Sequence, residues 1–104
     1  MRRKMSLEKK IENVLNENFK VNHLEVINES YMHSGPDNAE THFKVIMVSE
    51  DFINLKLIER HRSINELMKD QFSNGLHALS LHLFTTSEWS KKGEKVKESP
   101  PCAK

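Results

Sequence analysis

The sequence predicts an α+β fold: one three-stranded sheet packed on helices, in the order α-β-β-α-α-β with a short C-terminal helix. Three observations predict it. The apolar spacing changes period along the chain, from helical to alternating, back to helical and again to alternating. The runs of each period are short, which indicates one sheet and one helical layer. The length of 104 residues is enough for one core and too small for two.

Leu7, Ile11, Val14, Leu15 and Phe19 form one apolar stripe at helical spacing, so a first helix is expected over about residues 6–18. Ser6 is its N-cap by type, and Glu8 sits in the first turn, where the helix dipole favours an anion. His23-Leu24-Glu25-Val26 begins an alternation that runs loosely to Tyr31, a half-buried strand. The turn formers from Met32 to Asn38 follow, with Gly35-Pro36 as the breaker. His42 to Val48 alternates again, with Phe43, Val45 and Met47 facing one way, so the two strands read as an antiparallel hairpin with a long tip. From Asp51 the period is helical. Arg60-His61-Arg62 interrupts the apolar pattern, which predicts a short helix, a tight turn, and a longer helix over about 62–72 closed by Asn74-Gly75. Leu79, Leu81 and Leu83 mark a third strand starting near His77, and Trp89 anchors a last helical turn.

Residues 1–5 read as a basic extension, 6–90 as the domain, and 91–104 as a charged tail too poor in apolar residues to order itself. The first ten and last fourteen residues hold ten Lys/Arg against three Asp/Glu, a charge of +7. With a net charge of +1 for the whole chain, the body between them carries 1 − 7 = −6. A duplex binder neutralises phosphates, so nucleic-acid contact from such a body must use the ends or a local patch. No apolar run reaches the roughly 20 residues that span a bilayer, and no apolar segment follows the basic start. A cytoplasmic protein with no membrane partner is expected, and the single cysteine, Cys102, fits a reducing compartment. Without a nucleophile motif, a Gly-rich phosphate loop or a recognisable carboxylate pair, the chain is not expected to be an enzyme.

The stretches Leu24-Glu25-Val26, Glu29-Ser30-Tyr31, Glu40-Thr41-His42-Phe43-Lys44-Val45, Val48-Ser49, Arg60-His61-Arg62, His77-Ala78-Leu79 and Leu81-His82 are together highly specific. On them the chain resembles the BolA family from about Ile11 to Cys102, and the Ser99-Pro100-Pro101-Cys102 tail is similar to that of the founding bacterial type. The resemblance implies a KH-like fold of class II. It further implies partnership with a monothiol glutaredoxin around a shared [2Fe-2S] cluster, and transcriptional control of stress response and cell shape. Two departures stand out. Asn54 replaces the family's usual glycine in the link from strand to second helix, and αL geometry tolerates Asn best among non-glycine residues. No GxxG occurs anywhere, which weighs against sequence-specific clamping of RNA.

His77 begins the third strand on the parity of Leu79, Leu81 and Leu83. An imidazole at the mouth of a core is either a hydrogen-bonded packing residue or an exposed ligand, and the resemblance implies a cluster ligand. His33 lies on the hairpin tip, either a solvated loop residue or, as the resemblance implies, the second ligand. His42 and His82 face away from the apolar side by parity and read as structural, and His23 reads as a surface residue. Cys102 is a suitable thiolate by type, but its place in a tail argues for an exposed, oxidisable thiol. Two histidines cannot hold a [2Fe-2S] cluster, which takes four ligands. The resemblance implies that the glutaredoxin cysteine and a glutathione thiol complete it, so no cofactor is expected on the isolated chain. For DNA the candidates are Lys56, Arg60, His61 and Arg62; with Lys69 the cations among them make a locally basic group, three of whose charges Glu59, Glu66 and Asp70 offset.

Overall fold

A computed structural model describes residues 6–30 and 41–93 of the chain. Helix α1 (Leu7–Asn18) begins where Ser6 Oγ accepts the Lys9 N–H at 3.2 Å, and it buries Leu7, Ile11 and Leu15 at i, i+4 and i+8. Strands β1 (Val21–Asn28) and β2 (His42–Ser49) pair antiparallel, with an irregularity between Val21 and His23. Strand β3 (Ala78–Phe84) pairs parallel to β2, so the order is β1-β2-β3. A parallel pair needs a crossover, and here it is helical.

The central strand β2 is buried on both faces, as its position between two partners demands. Phe43, Val45 and Met47 point into the main core with Ile11 and Leu15 of α1 and with Leu83 of β3. By the alternation of the strand, Ile46 and Val48 point the other way. There they meet Trp89 and Phe84, whose rings lie 5.3 Å apart. Trp89 belongs to the C-terminal helix α4 (Thr86–Lys91), so the expected last helical turn covers part of the second face of the sheet.

The crossover departs from the expectation drawn from its pattern. Glu50–Phe52 is a single 3₁₀ turn in which Ser49 Oγ accepts the Asp51 N–H at 3.1 Å. Helix α2 (Leu57–Leu67) then runs straight through Arg60-His61-Arg62, the segment expected to be a turn. Its start is capped by Glu59, whose Oε1 accepts the Lys56 N–H at 2.8 Å. The helix breaks instead at Met68, and α3 (Lys69–Ser73) follows. Arg60 occupies an inward position four residues before Ile64 and eight before Met68, and all three are buried. A charge in the apolar row reads as an interruption in sequence, yet it continues the buried face when its guanidinium finds partners. After α3 the chain turns as expected at Gly75, whose φ of +115° favours glycine. The Leu76 N–H closes this turn on Gln71 O at 3.0 Å.

Candidate functional site

Three segments meet at the base of the β1–β2 hairpin. Ser30 is buried, and its Oγ accepts the N–H groups of Thr41 at 3.0 Å and His42 at 3.1 Å. Its own N–H donates to Asn28 Oδ1 at 2.9 Å. Thr41 then passes the connection to the third strand, because its carbonyl accepts the N–H groups of His77 at 2.8 Å and Ala78 at 3.1 Å. His77 therefore stands just before β3, held by its backbone, with its side chain exposed. The His42 ring lies 6.0 Å from that of His77, edge to face at 80°, and His42 Nδ1 is 2.8 Å from Thr41 Oγ1.

The structure thus presents His77 as an exposed imidazole on a fixed strand start. Beside it stands His42, which parity alone had left as structural. The signal for this pairing is the parallel register His42↔Ala78, which aligns the starts of β2 and β3. Candidate ligand His33, and Cys102, lie outside the described residues. If Ser30 sets this geometry, Ser30→Ala leaves two amides without their acceptor. It is expected to lower stability by about 1–3 kcal/mol, with the exchange of the Thr41 and His42 amides accelerated most when followed by hydrogen-exchange NMR.

Of the four nucleic-acid candidates, three remain at the surface. Lys56 and Arg62 are exposed and His61 is half-buried. Arg60 is 5% exposed. Its Nη1 and Nη2 reach Glu88 Oε1 and Oε2 at 2.7 and 3.3 Å, its Nε donates to Leu55 O at 3.0 Å, and its Nη1 also donates to Leu83 O at 3.3 Å. Its guanidinium further stacks 5.6 Å above the Phe52 ring. The hydrogen bond from Arg60, then that from the Thr85 N–H, holds the Glu88 carboxyl below its ordinary range. Arg60 is therefore a clamp between α2, β3 and α4. The DNA role read for it from sequence does not match this placement, because the side chain is buried and four of its five N–H donors are spent inside the fold.

The other histidines also find places. His23 stacks on Trp89 at 5.2 Å and lies 2.7 Å from Glu25, so it is more than a surface residue. His82 lies on the second face of the sheet, its Nε2 3.3 Å from Ser80 Oγ. Burial first, and Lys44 second, pushes its pKa down.

Set beside known proteins, residues 15–88 match the family described as BolA-like protein. The "DNA-binding transcriptional regulator BolA" of Vibrio cholerae is 45% identical over 92 residues, covering 88% of this chain and 87% of that one. The protein of the same description from Escherichia coli K12 is 40% identical over 98 residues, covering 94% and 93%. The solution structure of the BolA1 protein from Mus musculus superposes with a TM-score of 0.78 at 29% identity, covering all of this chain and 89% of that one.

Proposed function

The chain belongs to the BolA family, and from that premise we propose a non-enzymatic cytoplasmic regulator that shares a [2Fe-2S] cluster with a monothiol glutaredoxin and glutathione. The observation that carries the reading is His77, an imidazole exposed to a partner and fixed by the Thr41 carbonyl on the backbone side. The chemistry of the donors fits a shared site. Among the described residues no three His, Cys, Asp or Glu side chains converge, whereas such a cluster takes four ligands. This chain would contribute His77, and His33 from the hairpin tip. The glutaredoxin cysteine and the glutathione thiol would complete the set, and the bound cluster would supply redox sensitivity. His42 and Thr41 orient the His77 end of the site, and Ser30 holds both of them to the hairpin. Anaerobic mixing with a monothiol glutaredoxin, glutathione, iron and sulfide tests the reading. A coloured heterodimer by absorption and size measurement is expected, and colour confined to glutaredoxin homodimers would overturn it.

A second reading, direct DNA binding in transcriptional control, is favoured by the descriptions of the two bacterial relatives and by the exposed Lys56, at the N-cap of α2, and Arg62 within it. Glu59 and Glu66 on the same helix limit such a surface to few phosphate contacts. Arg62→Ala is expected to weaken binding alike for all sequences and to reduce the slope of log K against log salt by roughly one unit. An unchanged slope in filter-binding or anisotropy titrations would remove α2 from the contact.

A further inference from the structure

Along the free edge of β3 runs a cleft of about 330 Å³, bounded by the first turns of α2, the end of β3 and the residue that follows α4. Its floor is apolar, Leu81, Leu83 and Phe84, and Leu57 stands at its mouth. Its polar lining is His61, His82 and Lys92, with no carboxylate among the described lining residues. That is unlike the exposed part of α2, where Glu59 and Glu66 alternate with the cations.

We propose that this cleft binds a small organic oxyanion, a phosphate or carboxylate carried on an apolar or aromatic body. The volume is at the lower end of small-molecule sites, and an apolar floor with a few convergent polar groups is their usual construction. Three groups able to carry positive charge face the cleft, from α2, from β3 and from the residue after α4, and an oxyanion is the chemistry that complements them. Leu57 supplies a second, independent observation. It is 63% exposed at the mouth of the cleft, an apolar side chain that the core does not use and a ligand body would cover. Lys92 is exposed, with its Nζ 5.9 Å from the Phe84 ring, which places its ammonium at the rim of the cleft.

The surroundings of His82 predict how the site responds to pH. Burial most, then Lys44 from β2, and more weakly Lys92 beyond α4 and His61 from α2, disfavour its charged form, and Glu29 beyond β1 favours it. Its imidazole therefore takes up a proton less readily than a free one. An anion in the cleft offsets the cations and draws a proton onto His82, so binding tightens as pH falls through the imidazole range. The site uses none of His77, Lys56 and Arg62; it shares His61 alone with the residues considered for DNA and stands apart from the cluster reading.

Phenyl phosphate and benzoate are the probes, titrated into the full chain and followed by the imidazole resonances of His61 and His82 and the methyl resonances of Leu57 and Leu83. Saturable shifts confined to the cleft are expected with both probes, and benzoate, which stays ionised throughout, is expected to bind tighter at about pH 5.5 than at about pH 7.5. Preference for one probe assigns the oxyanion as phosphate or carboxylate. Phenol, which lacks the charge, is expected to leave the imidazoles unmoved, and inorganic phosphate to bind more weakly than phenyl phosphate. His61→Gln with His82→Gln is expected to weaken binding about tenfold or more, in a protein whose circular dichroism and melting match the parent. Lys92→Gln, outside every regular element, gives a second variant free of folding effects. The proposal is overturned if the double variant and Lys92→Gln both bind as the parent does. It is also overturned if inorganic phosphate binds as well as phenyl phosphate, or if the shifts fall on exposed lysines and arginines outside the cleft.

Discussion

Replacing Arg60 with alanine is expected to cost about 2–3 kcal/mol of folding stability, roughly 10–20 °C in melting temperature for a domain of this size. Breaking a buried ion pair costs about 3–5 kcal/mol, and the lower figure applies here because Glu88 is 47% exposed and rehydrates when its partner is lost. What remains is the lost packing under Phe52 and two carbonyls, Leu55 O and Leu83 O, without their donor. Arg60→Met, which keeps the volume and removes the charge, is expected to recover part of the loss. The pH dependence has a definite sign. The folded Glu88 carboxyl is held below its ordinary value of 4.5, so the stability it contributes is complete above that value. It is lost as pH falls through the folded pKa. Urea titrations of parent and Arg60→Ala should therefore draw closer in acid, leaving the part of the difference that comes from packing and the two carbonyls. If Arg60→Ala melted like the parent, the clamp would have no energetic content and its arginine would again be open to a binding role.

The same residue explains why the crossover was the least legible part of the sequence. Helix α1 and strand β2 could be read because Ile11, Leu15, Phe43, Val45 and Met47 are apolar at every inward position. In α2 one inward position is an arginine, whose partner Glu88 is 28 residues further along the chain. No local pattern announces that pairing. The His42 and His77 contact was hidden for a related reason. Alternation gives the face of each strand, but it does not say that β2 and β3 run parallel with their starts aligned. His77 itself was legible as an imidazole at the mouth of the core, since parity with Leu79, Leu81 and Leu83 needs only its own strand.

His77→Ala is expected to leave the fold within about 0.5 kcal/mol of the parent and to remove most of the cluster from the complex with a monothiol glutaredoxin. The two effects separate because the residue is tied down by its main chain. The N–H groups of His77 and Ala78 donate to Thr41 O, and an alanine at position 77 keeps both bonds. The ring is exposed, so its loss opens no core cavity, and only its edge-to-face contact with His42 is given up. If the imidazole were a packing residue, the cluster-free protein would melt well below the parent and reconstitution would fall only in proportion to the folded fraction. If it is a ligand, the visible absorption of the reconstituted heterodimer drops while the melting curve of the isolated chain stays in place. His42→Ala is the matched control, since it disturbs the neighbouring ring and leaves the His77 nitrogen atoms available. Loss of colour with His42→Ala and retention with His77→Ala would exchange the two assignments, and full colour in both would exclude this end of the sheet as the cluster site.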